Sequence, residues 1–235
     1  MKVVILAGGK GTRLSEYTKL IPKPLVKIGS KPIIEHIIDY YVKFGFNNFI
    51  IAGGYKYPLL EDYFKKRNKK IDIEVVDTGL NSFTGKRLFR LKKKLNSTFM
   101  LTYGDGISNV DLNKLLKFHK KNKKKITVTA VHPPSSRSRF GELEISNNRV
   151  IKFKEKPNSE KTWINGGFFV VEPSFFNFIG KNNVMLEQSP MINAVKSKNL
   201  AAFKHEGYWF CVDNIQDKNF LDEKMKNKKF LGFFK

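Results

Sequence analysis

Cysteine is almost absent from this 235-residue chain, where Cys211 stands alone. No disulfide can form within the chain, so the fold must rest on a packed core, and a reducing, cytoplasmic compartment is the expectation. Long apolar runs are missing too. Nothing approaches the ~18 residues of a spanning helix, and the apolar run at the start lacks the length and small-residue cleavage region of a secretory leader. We therefore expect no membrane partner. Acidic residues are scarce, 21 against 44 basic ones, for a formal charge of +23. Yet arginine is rare as well, at 7 of those 44. The lysines fall in runs such as Lys69-Lys70, Lys92 to Lys94 and Lys120 to Lys125, without interleaved aromatics. Readers of nucleic acid lean on arginine forks and stacking rings, so these runs read as solvated helix ends and we expect no polynucleotide partner. Such a field would still draw in small anions, nucleotides and sugar phosphates among them.

Two well-known phosphate loops are also lacking. A dinucleotide fingerprint needs G-x-G-x-x-G, but after Gly9 and Gly11 the third position is Leu14. A P-loop needs G-x-x-x-x-G-K-S/T; the stretch Gly79 to Lys86 has one residue too many and ends in Arg87. What is present is KVVILAGGKGTRLSEYTKLIPKP, from Lys2 to Pro24. An apolar run suited to one buried strand breaks into glycines at 8, 9 and 11, which let backbone N–H groups point at a ligand, as phosphate oxygens require. Arg13 and Lys23 then supply charge. Taken alone, the same residues also fit a flexible turn with solvated charges.

With 41% apolar residues the chain is long enough for one sizeable core, and we read residues 1–235 as a single domain. Strands and helices alternate. Ile33, Ile34, Ile37, Ile38, Tyr41 and Phe44 recur at helical spacing between Pro32 and Gly45. Strands follow at Asn48 to Ala52, Ile71 to Val76, Phe99 to Tyr103 and Ile126 to Val131, with helices predicted around Leu60, through Leu88, Leu91 and Leu95, and around Leu115. Repeated βα units predict a mostly parallel, Rossmann-like α/β sheet. After Pro133-Pro134 the pattern changes: Gly141 to Ile145 and Val150 to Lys154, separated by Asn147-Asn148, predict an antiparallel hairpin whose turn needs positive φ, a small antiparallel lobe on the parallel sheet. A strand at Trp163 to Val171, short helices after Pro173 and Pro190, a strand near Leu200 and a helix from Ile215 complete the chain.

In an open α/β sheet ligands gather beyond the carboxyl ends of the strands. Asp105 lies there, in TYGDG after the strand that ends at Tyr103; it suits either a metal ligand or an ordinary turn. Asp213 precedes the last helix and suits either a ligand or its N-cap. Glu155-Lys156 could be the exposed end of the hairpin, and Asn165-Gly166-Gly167 a strand bulge. His36, His119 and His132 read as structural; His205 is left open.

The string L-A-G-G-x-G-T-R-L, followed by P-K-P-L and by Lys31-Pro32, resembles the signature of the sugar-phosphate nucleotidylyltransferases. The resemblance runs on through VDTG at Val76 to Gly79, S-x-T-G-x-R-L at Ser82 to Leu88, TYGDG, RFGELEI at Arg139 to Ile145, FKEKP at Phe153 to Pro157, INGGFFV at Ile164 to Val170, EQSPM at Glu187 to Met191 and Trp209 to Asp213. These segments are similar to the cytidylyltransferase branch that acts on glucose 1-phosphate. The resemblance implies the nucleotide-diphospho-sugar transferase type of fold, CTP and a sugar 1-phosphate as partners and Mg²⁺ as cofactor, the same reaction with another nucleotide or phosphorylated acceptor being the alternative; we also expect a homo-oligomer, without carrying over the family's mode of assembly. It assigns Leu6, Ala7, Gly8, Gly9, Gly11, Thr12, Arg13, Lys23 and Gly104 to the nucleotide, with Arg13 and Lys23 catalytic and Thr78 and Gly85 near the base. It assigns Gly141, Glu155, Lys156, Asn165 and Gly166 to the sugar phosphate, and Asp105 and Asp213 to the metal. One departure is the short segment between Phe64 and Val76, where those relatives carry a longer insertion. Two other classes are weighed against this reading. A non-catalytic nucleotide sensor would not need Arg13, Lys23, Asp105 and Asp213 together, and a polynucleotide binder would need its lysines on one face.

Overall fold

The structure is a computed structural model that describes residues 1–66, 71–132, 141–155, 163–227 and 230, without the side chains of 141–142 and 153–155. The chain opens with β1 (Lys2–Leu6), whose residues alternate between two cores: Val3 and Ile5 face one side of the sheet, Val4 and Leu6 the other. A strand covered on both faces must be apolar throughout, which is why this one reads as a continuous run. The glycine loop and α1 (Ser15–Thr18) come next, then a small ribbon of β2 (Lys27–Ile28) and β3 (Lys31–Pro32).

In α2 (Ile33–Lys43) Ile33, Ile34, Ile37, Ile38 and Tyr41 are all buried, as their spacing predicts, and Gly45 ends the run at φ 85°. Truncating a fully buried side chain such as Ile38 to alanine costs about 2–5 kcal/mol. β4 (Asn48–Gly53), α3 (Tyr57–Lys65), β5 (Asp72–Asp77), α4 (Thr84–Arg90) and β6 (Phe99–Tyr103) continue the βα alternation. The helix expected through Leu95 is shorter: α4 stops at Arg90, and a 3-10 turn over Lys92–Lys94 carries the chain on, so that both Leu91 and Leu95 stay buried.

After β6 come β7 (Gly106–Ser108), α5 (Leu112–Asn122) and β8 (Ile126–Val131), then the hairpin of β9 (Gly141–Ser146) and β10 (Arg149–Glu155). Asn147 and Asn148 turn it at φ 45° and 62°, the positive values that the sequence predicts. The rest is β11 (Trp163–Val171), α6 (Phe176–Ile179), α7 (Ser189–Lys196), β12 (Leu200–Lys204), β13 (Trp209–Cys211) and α8 (Ile215–Lys226). None of the helices among the described residues is long and apolar enough to cross a membrane.

One nine-stranded sheet runs β5-β4-β1-β6-β11-β8-β12-β10-β9. The ladders β5–β4–β1–β6 and β8–β12 are parallel, and β11 lies antiparallel between β6 and β8. The hairpin forms no separate sheet. β10 joins β12 at Arg149↔Ala201, and β9 also pairs back onto the start of β11 at Trp163↔Leu143. From β1 the chain moves out to β4 and β5, then returns to place β6 on the other side of β1. That reversal opens a crevice at the carboxyl ends of β1 and β6.

Candidate active site

The glycine loop leaves β1 at the crevice and is fixed from several sides. Ala7 N donates to Ala52 O, Gly104 N to Leu6 O, and Tyr55 N to Gly8 O. Gly11 takes φ 62°, and a Cβ there would stand 2.9 Å from Thr18 Cγ2, so only glycine fits. Thr18 answers with a hydroxyl hydrogen bond to Gly11 O, 3.0 Å. The loop forms one wall of a cleft of about 570 Å³. Leu6, Ala7, Gly8, Gly9, Gly11, Thr12, Arg13, Lys23 and Gly104, all assigned to the nucleotide, line it.

A second local device brings two distant carboxylates together. β7 and β13 pair as an antiparallel ribbon with Cys211 opposite Gly106, and Val212 N donates to Asp105 O. Asp105 directly precedes one strand and Asp213 closely follows the other, so the ribbon sets them side by side. Lys23 Nζ sits between them, 2.6 Å from Asp105 Oδ2 and 3.0 Å from Asp213 Oδ1. Arg13 reaches Asp213 from outside at 2.6 Å. Burial works against the Lys23 charge, but the attraction of Asp105, Cys211 and Asp213 outweighs it and holds the ammonium well above its usual range. Asp213 is not the N-cap of α8. Asn214 is, accepting from Asp217 N at 2.9 Å, while Asp217 Oδ2 accepts from the N–H groups of Asp213 and Asn214.

The donor set fits a divalent cation. Asp105, Asp213 and the Cys211 sulfur offer ligand atoms all within 4.8 Å of one another, and the Lys23 ammonium already bridges the two carboxylates. Two carboxylate oxygens with phosphate oxygens make a hard set that suits Mg²⁺.

Thr78 and Gly85 stand behind the cleft wall. Thr78 is fully buried; its hydroxyl donates to Gly53 O and accepts from Arg87 Nη1 at 2.7 Å. Gly85 packs on the Val184 carbonyl, to which its N–H donates at 3.0 Å. The residues that present themselves to the cleft here are Ser82, Phe83, Thr84, Arg87 and Met185. Arg87, only 3% exposed, reaches Gly53 O, Gly8 O and Ser82 O, and so ties the glycine loop to β4 and to the loop before α4. Burial, with Arg90 adding to it against the pull of Asp77, brings its pKa down to about 10, so it stays charged at neutral pH. In the sequence Arg87 carries no assigned role; its signal is its place in S-x-T-G-x-R-L, the segment shared with the family.

A second cleft of about 490 Å³ adjoins the first and shares Arg13, Thr84, Tyr103, Asp105, Met185, Glu187 and Asp213 with it. Asn165 and Gly166 line it. They lie in a bulge of β11, where the register to β8 shifts between Asn165 and Phe169, so the bulge and the site coincide. Trp209 Nε1 clamps it by donating to Gly166 O, 2.6 Å. Of the other residues assigned to the sugar phosphate, Gly141 and Glu155 pair with each other at the open end of the hairpin, and Lys156 lies outside the described residues. His36 and His119 are structural, bonded to Ile28 O and between Thr127 and Glu172. His132 packs at a tilt against Trp163, 3.9 Å between ring centroids.

A glycine loop, two cations and a carboxylate pair meet at a sheet switch point, a chemistry that suits a polyphosphate in an α/β fold. A model of the nucleotidyl transferase family matches residues 2–225, and the chain belongs to that family. It is 40% identical to a glucose-1-phosphate cytidylyltransferase of Salmonella typhi over 94% of this chain and 95% of that one. A probable glucose-1-phosphate cytidylyltransferase of Bacillus subtilis is 38% identical over 97% of each. Among solved structures, HddC from Yersinia pseudotuberculosis complexed with GMP-PN superposes with TM-score 0.80 at 24% identity, covering 95% of this chain and 99% of that one, a likeness of fold.

Proposed function

We propose that this enzyme transfers a cytidylyl group from CTP to glucose 1-phosphate, giving CDP-glucose and pyrophosphate. The observation that carries the reading is the convergence of Arg13 and Lys23 on Asp105 and Asp213 beside the glycine loop. The choice of base and sugar rests on the cytidylyltransferase relatives and on the segments shared with them.

The chemistry needs little more than these residues. A sugar 1-phosphate loses its second proton with a pKa of about 6, so its oxygen is a nucleophile at neutral pH without a general base. That oxygen attacks the α-phosphorus in line, the new P–O bond forms, and the bond to pyrophosphate breaks. The loop N–H groups hold the phosphates, Arg13 and Lys23 neutralise the charge gathering on them, and the two clefts hold donor and acceptor in reach of one another. Asp105 and Asp213 would hold Mg²⁺, which supplies further neutralisation of phosphate charge when bound. Assembly as a homo-oligomer in the cytoplasm belongs to the same reading; the lone cysteine suits that compartment.

Turnover of the purified protein against a panel of nucleoside triphosphates and sugar 1-phosphates tests it. CTP with glucose 1-phosphate should exceed UTP or dTTP by at least about tenfold in kcat/KM, since a mismatched base edge leaves buried polar groups unpaired. Comparable rates with UTP or dTTP, or a preference for GTP, would move the protein to another branch of the family. Sedimentation of the purified enzyme reads the assembly.

A further inference from the structure

One carboxylate shared by the two clefts has no part in the mechanism above. Asp105 and Asp213 face cations, but Glu187 is held by hydroxyls: Tyr103 donates to Oε1, and Thr84 donates to Oε2 at 2.8 Å. Tyr103 in turn accepts from Asn165 Nδ2 at 3.3 Å. The four side chains come from four separate parts of the fold: the start of α4, the end of β6, the bulge of β11 and the loop before α7. Thr84, Tyr103 and Glu187 line both clefts and Asn165 only the acceptor cleft, so the chain of hydrogen bonds runs from the shared border into the acceptor side.

The surroundings are shaped to keep this arrangement. Leu186 N donates to Thr84 Oγ1 at 2.8 Å, and the N–H groups of Gly85 and Lys86 both donate to Val184 O, which docks the Glu187 segment on the first turn of α4. On the other side Gly167 takes φ 77°, and a Cβ there would fall 2.5 Å from the Tyr103 ring, so the bulge is built around that ring. Asn165 Oδ1 accepts from Gly167 N at 2.9 Å, which fixes the amide and turns its Nδ2 toward Tyr103.

We infer that Glu187 is a positioning residue for the acceptor: by holding the Tyr103 hydroxyl, and through it Asn165, it fixes the sugar-side wall against the border that the two clefts share at Thr84. The inference rests on the proposed reading of the two clefts. Its consequence is a split between substrates. Loss of the Glu187 carboxylate loosens the acceptor cleft, while the glycine loop, Arg13 and Lys23 keep their own supports and hold the nucleotide as before.

The test uses the purified full chain as Glu187→Ala, Glu187→Gln, Tyr103→Phe and the Glu187→Ala/Tyr103→Phe double variant. Steady-state kinetics read the KM for glucose 1-phosphate, and calorimetry without acceptor reads the Kd for CTP. Glu187→Ala and Tyr103→Phe should each raise the acceptor KM by about tenfold or more and leave the CTP Kd within about twofold. Groups that act as one unit are not additive, so the double variant should match the poorer single rather than reach roughly a hundredfold. Glu187→Gln, which keeps an acceptor for the Tyr103 hydroxyl, should recover most of the loss. An unchanged acceptor KM, a CTP Kd that rises in step with it, or multiplying effects would overturn the inference; Tyr103→Phe decides the matter if Glu187→Ala fails to fold. The failure of the underlying reading shows elsewhere, as a wild-type enzyme that turns over no sugar 1-phosphate.

Discussion

Lys23 Nζ lies 2.6 Å from Asp105 and 3.0 Å from Asp213, so a single ammonium holds together two carboxylates more than a hundred residues apart in the chain. Lys23 is therefore a structural tie, beside the part proposed for it at the phosphates. Arg13 shares only Asp213 and has a side chain 67% exposed.

The two cations should respond differently to deletion. Arg13→Ala and Lys23→Ala should each lower turnover by at least about 10²-fold, the usual cost of losing a charge partner of the reacting phosphates. Only Lys23→Ala should also lower the melting temperature in metal-free buffer, because it leaves two carboxylates side by side without a cation; breaking a largely buried pair costs about 3–5 kcal/mol. Thermal melts of both variants, with and without Mg²⁺, check this, and added Mg²⁺ should restore part of the Lys23→Ala loss. Equal melting temperatures for the two variants would remove the structural role.

Turnover should require Mg²⁺ or Mn²⁺. Asp105→Asn and Asp213→Asn should each raise the half-saturating metal concentration at least about tenfold while keeping the side-chain shape. Because Asn214 and Asp217 cap α8 by themselves, Asp213→Asn should leave helix content by circular dichroism unchanged. Full activity in excess EDTA would remove the metal from the reading.

Arg87→Lys is a demanding substitution despite the conserved charge. One ammonium cannot reach Gly8 O, Gly53 O, Ser82 O and Thr78 Oγ1 as the guanidinium fork does. We expect a stability loss of about 1–3 kcal/mol for the carbonyls left without donors, together with a higher KM for the nucleotide. Denaturant melts and nucleotide titration of kcat/KM read the two effects separately; a wild-type KM would detach Arg87 from the shape of the loop.

His205 gives the fold an acid-sensitive point. Its Nε2 donates to Asn109 Oδ1 at 3.0 Å, and burial lowers its pKa below 6.5. The unfolded chain then binds a proton that the folded chain resists, so this contribution to stability is complete above 6.5 and is lost as pH falls through the folded value. Melting temperature plotted against pH should drop on the acid side of 6.5 in the wild type and drop less steeply in His205→Gln. Parallel curves would place the acid sensitivity elsewhere.

The sequence by itself determined whatever depends on neighbours along the chain. β1 was legible because a strand covered on both faces is apolar throughout, the glycine loop because backbone N–H groups can approach a phosphate only without side chains, and the Asn147-Asn148 turn because asparagine tolerates positive φ. α2 showed itself by period, and the shared motifs named the family.

Only the tertiary structure decided how remote residues meet. Whether Asp213 caps the last helix stayed open until the structure gave that cap to Asn214, and the pairing of β7 with β13, strands too short to leave a period, set Asp213 beside Asp105. Arg87 looked like one more basic residue until the fold closed Gly8, Gly53, Thr78 and Ser82 around it. Thr84, Tyr103, Asn165 and Glu187 share no spacing that a helix or strand could express. Their contact follows from the order of strands in the sheet and from the loop that docks on α4, and such long-range pairing leaves no mark on the residues adjacent in sequence.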